Sequence, residues 1–122
     1  MVRFTANGHF FRALQKTIDA LFAGPAVCSP QLRQSVEAHA ARLGGAHREP
    51  VETPADLTPY LTKIALHAYR ITDADIEHLK ACGYSEDAIF EITLCAAMGA
   101  GLARLERGMT ALKGAGNAPA CS

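Results

Sequence analysis

Between Ile92 and Ala103 the chain carries no charged side chain, and Ala96, Ala97, Gly99, Ala100, Gly101 and Ala103 within that run are all small. A helix apolar on every side is normally buried, and small side chains let neighbouring backbones approach closely. The run sits inside a longer helical stretch, Tyr84–Leu112. Ser85 is its N-cap, and Glu86 and Asp87 occupy the first turn, where carboxylates favour the positive end of the helix dipole. Tyr84 and Ile89 are spaced as a hydrophobic staple. The uncharged run of 12 residues is shorter than the ~20 that span a bilayer. The expectation is a central helix buried in a soluble helical domain.

A chain of 122 residues is expected to form a single domain, 1–122, with one core. Its 12 basic and 12 acidic side chains cancel, which gives no field for a polyanion such as nucleic acid. The N-terminal segment has no apolar signal-peptide core, and no membrane association is expected; the compartment expected is the cytoplasm. Cys28, Cys82, Cys95 and Cys121 are too widely spaced for a CxxC redox or zinc motif. Cys95 lies about 15 Å along its helix from the Ser85 cap, beyond the roughly 7 Å a disulfide to Cys82 allows. Both are read as buried free thiols.

Four further helices precede the central one. Asn7 caps the first, which ends at Gly24-Pro25; Phe11, Leu14, Ile18 and Leu21 recur at helical spacing, and Phe10, Phe11 and Phe22 read as core anchors. Ser29-Pro30 starts the second, with Leu32, Val36, Ala40 and Leu43 as its stripe and Glu37 and His39 as solvated side chains. A polar connector over 44–53 leads to a third helix from Pro59 to Tyr69, with Leu57, Tyr60, Leu61, Ile64, Ala65 and Ala68 on one face. Thr72 and Asp75 form a carboxylate version of the capping box at the fourth helix, and Gly83 ends it in the left-handed conformation. Residues 114–122 are expected to be a disordered tail. With no strand-like alternation, the fold class is all-α, about five helices.

Among chemically capable residues, a helix-turn-helix reading of the last two helices would present Glu86, Asp87 and Glu91 to DNA, which repels phosphate. Asp75 and His78 share a helix face, but a di-metal bundle site needs a second such motif, and no metal is assigned. Glu91 is the only acid between Asp87 and Glu106 on the most buried helix. It is either a proton-transfer group or the partner of a base such as Lys63 or Arg70. Arg104 and Arg107 are placed to grip an anionic ligand or to form rim ion pairs at a subunit contact.

The segment Lys63–Ile76, with Leu79–Ile92 (Leu-Lys-Ala-Cys-Gly-Tyr-Ser-Glu-Asp-Ala-Ile-Phe-Glu-Ile), Ala96-Ala97 and Arg104-Leu105, resembles the C-terminal part of carboxymuconolactone decarboxylase/alkylhydroperoxidase D-like (AhpD-like) proteins. The resemblance covers Leu61 to Leu112. It implies an all-helical subunit that assembles into homo-oligomers. In the peroxidase members it further implies a Glu-x-x-Cys-x-x-Cys-x-x-x-His motif, which has no counterpart here, since Cys28 stands alone. Ala100 and Ala103 stand where many relatives carry asparagine.

The expectation is therefore an AhpD-like oligomer without the dithiol centre and without a cofactor, binding a small ligand or a partner protein. The alternative is an enzyme, either a one-cysteine peroxidase at Cys28 or an acid/base catalyst at Glu91 and His67. Cys28, just ahead of the Ser29-Pro30 helix start, is the thiol placed to be stabilised as thiolate. Arg104 is the candidate ligand-binding residue. Assembly is expected to run through the small residues, including Gly99 and Gly101.

Overall fold

A computed structural model describes residues 9–116. They form five α-helices: α1 (His9–Ala23), α2 (Pro30–Leu43), α3 (Thr58–Leu66), α4 (Asp73–Ala81) and α5 (Glu86–Gly116), with a 3-10 turn at Ala68–Arg70. No strand occurs among the described residues, and the fold is all-α. The Asn7 cap and Cys121 lie outside the described residues, as do positions 117–122 of the expected tail. Helix α5 continues three residues past Lys113 to Gly116.

The caps that depend on neighbouring residues form as their spacing predicts. The Leu32 amide donates to Ser29 Oγ at 3.1 Å, and Pro30 occupies the first turn of α2, where its missing N–H costs nothing. The Ala88 amide donates to Ser85 Oγ at 3.1 Å at the start of α5. At α4 the Thr72 amide donates to Asp75 Oδ2 at 2.8 Å. Gly83, at φ +102°, makes the left-handed turn between α4 and α5.

The core is built where α5 crosses α2, the principal packed pair, with α3 closing one side. Ile18, Val36, Leu57, Leu61, Leu79, Ile92 and Cys95 are fully buried there. Close approach comes from small residues. A side chain on Gly99 would overlap the Glu37 carbonyl oxygen, and one on Gly44 would come within 2.8 Å of the Ala103 methyl. The small face containing Gly99 is thus used inside the subunit, whereas Gly101 looks onto open space.

Several sequence expectations are corrected. Helix α3 stops at Leu66 because His67 leaves the helical region (φ −144°, ψ 49°), and Ala68 is exposed rather than on the core face. Phe10 is 70% exposed and stacks edge-on against Phe11, so of the α1 phenylalanines Phe22 is the buried anchor. Cys82 is exposed; Cys95 is buried as expected. Glu37 is buried and paired with Arg48 at 3.2 Å, and Arg48 also reaches Glu106 at 2.8 Å, which fastens the polar connector to α2 and α5. Finally, Glu86–Gly114 is long and apolar enough to cross a membrane by length and composition, although half of its most apolar stretch is buried within the fold.

Candidate functional site

The structure brings Cys28 and Glu91 together at the start of α2. Glu91, one turn and a half into α5, turns its carboxylate toward the α1–α2 loop. The Val27 amide donates to Oε2 and the Cys28 amide to Oε1, both at 2.9 Å. These donors lie just ahead of the Ser29 cap, at the end of α2 where unpaired amides and the helix dipole favour an anion. Glu91 fills that position itself. Its two backbone hydrogen bonds, the one from Cys28 foremost, hold the carboxyl below the usual glutamate range despite partial desolvation. An acid held ionised in this way is a poor proton donor near neutrality. Lys63, expected as its partner, instead pairs with Asp75 at 2.7 Å, and Arg70 stacks over the Tyr69 ring.

The same geometry decides the state of Cys28. Its thiol is buried and lies 3.7 Å from the Ala88 carbonyl oxygen. Burial, then the adjacent Glu91 charge, push it above the usual thiol value, and Arg33 offsets this only in part. The helix N-terminus that was expected to stabilise a thiolate is already occupied by a carboxylate. Cys95 is more deeply buried, and desolvation raises it to about 11. Both thiols are therefore neutral and weakly nucleophilic at physiological pH.

His67 does not join this group. It stands exposed past the end of α3, its ring edge-on to Tyr69 at 6.1 Å, and it does not line the cavity beside Glu91. Arg104 is occupied within the subunit: Nη2 donates to the Ala65 carbonyl at 3.1 Å and Nη1 to the Ala100 carbonyl at 3.0 Å. It thereby satisfies a carbonyl in the last turn of α3, a position that favours a cation. No group of three or more His, Cys, Asp or Glu side chains among the described residues is placed to hold a metal.

Beside Glu91 a cavity of about 600 Å³ opens between the end of α1, the α1–α2 loop and the first turns of α5. Leu21, Val27, Phe90 and Leu94 supply apolar walls, and Arg33 and Cys95 contribute to the lining. Sequence reasoning missed Arg33. It falls between Leu32 and Val36 on the inner side of α2, and a cation there was the available signal.

Comparison with protein-family models, curated proteins and solved structures returns no match.

Proposed function

We propose that this chain is an AhpD-like helical subunit without peroxidase chemistry, whose role is self-assembly and binding, and that α5 is its docking element. The observation that carries this reading is the outward face of α5. Phe90 and Leu112 are 68% and 64% exposed and Leu94 is 40% exposed; between them Ala97, Gly101 and Gly108 are exposed on the same side. Positions 90, 94, 97, 101, 104, 108 and 111 alternate steps of four and three, the spacing of a helix–helix seam. At 31 residues α5 is ~46 Å long, which gives the seam its length.

A second copy in antiparallel orientation fits this face. Placing Gly101 on a two-fold axis sets Phe90 against Leu112, two apolar side chains in contact, and Leu94 over Gly108, a large residue into a small one. Asp87 of one copy then approaches Lys113 of the other. Such a contact is self-complementary, as a two-fold interface requires, and a net charge of zero opposes it with no long-range repulsion. The absence of peroxidase chemistry is supported by the neutral thiols of Cys28 and Cys95 and by the engagement of Glu91 as a cap.

The test is oxidation of Gly101→Cys in a background where Cys82 and Cys121 are serine. The expected product is a covalent dimer formed in high yield, with no consumption of peroxide by the native chain supplied with a dithiol reductant. A monomer that stays uncrosslinked and sediments as a single chain overturns the assembly. Steady peroxide turnover overturns the non-catalytic reading. Flotation of a monomer with phospholipid vesicles would instead assign the apolar face to a membrane surface.

A further inference from the structure

We infer that the cavity between the α1–α2 loop and α5 is a binding site for a small monocarboxylic acid with an apolar body, its carboxylate held by Arg33. Arg33 is only 4% exposed. Its Nη1 donates to the Leu21 carbonyl at 2.6 Å, while Nε is buried without any hydrogen-bond partner. Among the described residues no carboxylate comes within ion-pair distance of it. A guanidinium taken out of water without a hydrogen-bonded counter-charge is costly, and buried charges in proteins are otherwise paired directly. Here the unpaired cation lines a cavity rather than solid packing.

The surroundings narrow the class of ligand. Glu91, on the same cavity, accepts hydrogen bonds from the Val27 and Cys28 amides and acts on Arg33 only through space, so the guanidinium keeps no carboxylate in direct contact. Asp87 and Glu91 together make the α5 side acidic, which disfavours a second negative charge on the ligand and selects a monoanion. Val27 and Phe90 are 63% and 68% exposed, and with Leu21 and Leu94 they form an apolar wall that an alkyl or aryl body would cover. A volume of about 600 Å³ suits a molecule of that size, since small-molecule sites run to roughly 300–1,000 Å³. Arg33 and the walls belong to one chain, but Phe90 and Leu94 also lie on the seam proposed above. The titration is therefore run on Gly101→Glu as well as on the native chain, which separates failure of the site from its occlusion by a second copy.

The test is calorimetric titration of the native chain and of Gly101→Glu with octanoate, octan-1-ol and acetate, with amide chemical shifts recorded in parallel. Octanoate is expected to bind roughly tenfold or more tighter than octan-1-ol, as a charge-assisted pair to a desolvated guanidinium requires. Acetate is expected to bind more weakly than octanoate, and the shifts are expected to centre on Val27 and Leu94. Arg33→Met should abolish the preference for the acid over the alcohol. Ala20→Trp, at an exposed position on the cavity edge, should weaken octanoate without unfolding the chain, which decides the matter if Arg33→Met does not fold. Equal binding of acid and alcohol, no binding of either to Gly101→Glu, or octanoate binding untouched by Ala20→Trp overturns the inference.

Discussion

Glu91 shows how a single carboxylate can look catalytic and serve as a cap. Both of its oxygens accept amides of another segment 63 and 64 residues away, so it closes the start of α2 from α5. Replacing it by alanine should cost about 1–2 kcal/mol, the scale of hydrogen bonds to a charged group, one of them exposed and the other part-buried, measurable by urea unfolding. Its folded-state pKa is lowered from 4.5. The stabilisation is therefore complete above the ordinary glutamate value and is lost as pH falls through the folded value. Glu91→Gln should unfold less steeply with acid below that ordinary value than the native chain does. Glu37 has the opposite sign: burial chiefly raises it, so its contribution falls as pH rises from 4.5 toward its folded value. At the thiols, a maleimide reagent at neutral pH should modify Cys82 rapidly and spare Cys28 and Cys95 until the chain is unfolded, because Cys82 alone of the three is exposed. Rapid labelling of Cys28 in the folded chain would contradict the burial described here.

At the scale of elements, α2 and α5 lock through small residues rather than large ones. Gly99→Ala forces a methyl against the Glu37 backbone, and overpacking of this kind should cost about 2–3 kcal/mol; a thermal melt of the variant checks it. The Glu37–Arg48–Glu106 cluster is the second tie. Arg48→Met should cost about 3 kcal/mol, since it strands a buried carboxylate, and Glu37→Gln in the same chain should recover part of that loss. What could be read from sequence follows from locality. Ser29, Thr72, Gly83 and Ser85 act on amides within three residues, and each was legible. The burial of Glu37 and Arg33 depends on partners and cavities supplied by distant segments, so patterning alone placed Glu37 in solvent and passed over Arg33. The end of α3 at His67 carries no proline or glycine signal. The proposed likeness to AhpD-like sequences rests on the same caps and small residues, which describe helices rather than chemistry.

Across the whole molecule, one side of α5 faces the packed interior and the other leaves Phe90, Leu94 and Leu112 exposed. Of the candidate site residues, Glu91 is engaged at the α2 start, Cys28 lies buried beneath the loop and the ligand-binding candidate Arg104 is engaged at the α3 end, while His67 stands exposed apart from them. Outward on α5 stand Phe90, Leu94, Ala97, Gly101, Gly108 and Leu112, with the cavity at Arg33 beside the first two. Gly101 separates fold from assembly because nothing within the subunit lies near it. The most direct measurement is the sedimentation mass of Gly101→Glu beside that of the native chain, read together with the melting temperature of each at a concentration where the native chain is assembled. The native chain is expected to sediment as a dimer and Gly101→Glu as a folded monomer that keeps full helical content, since glutamate favours a helix over glycine by ~0.5–1 kcal/mol. A Gly101→Glu chain that retains the native dimer mass, or a native chain that is already monomeric, would contradict the proposed assembly.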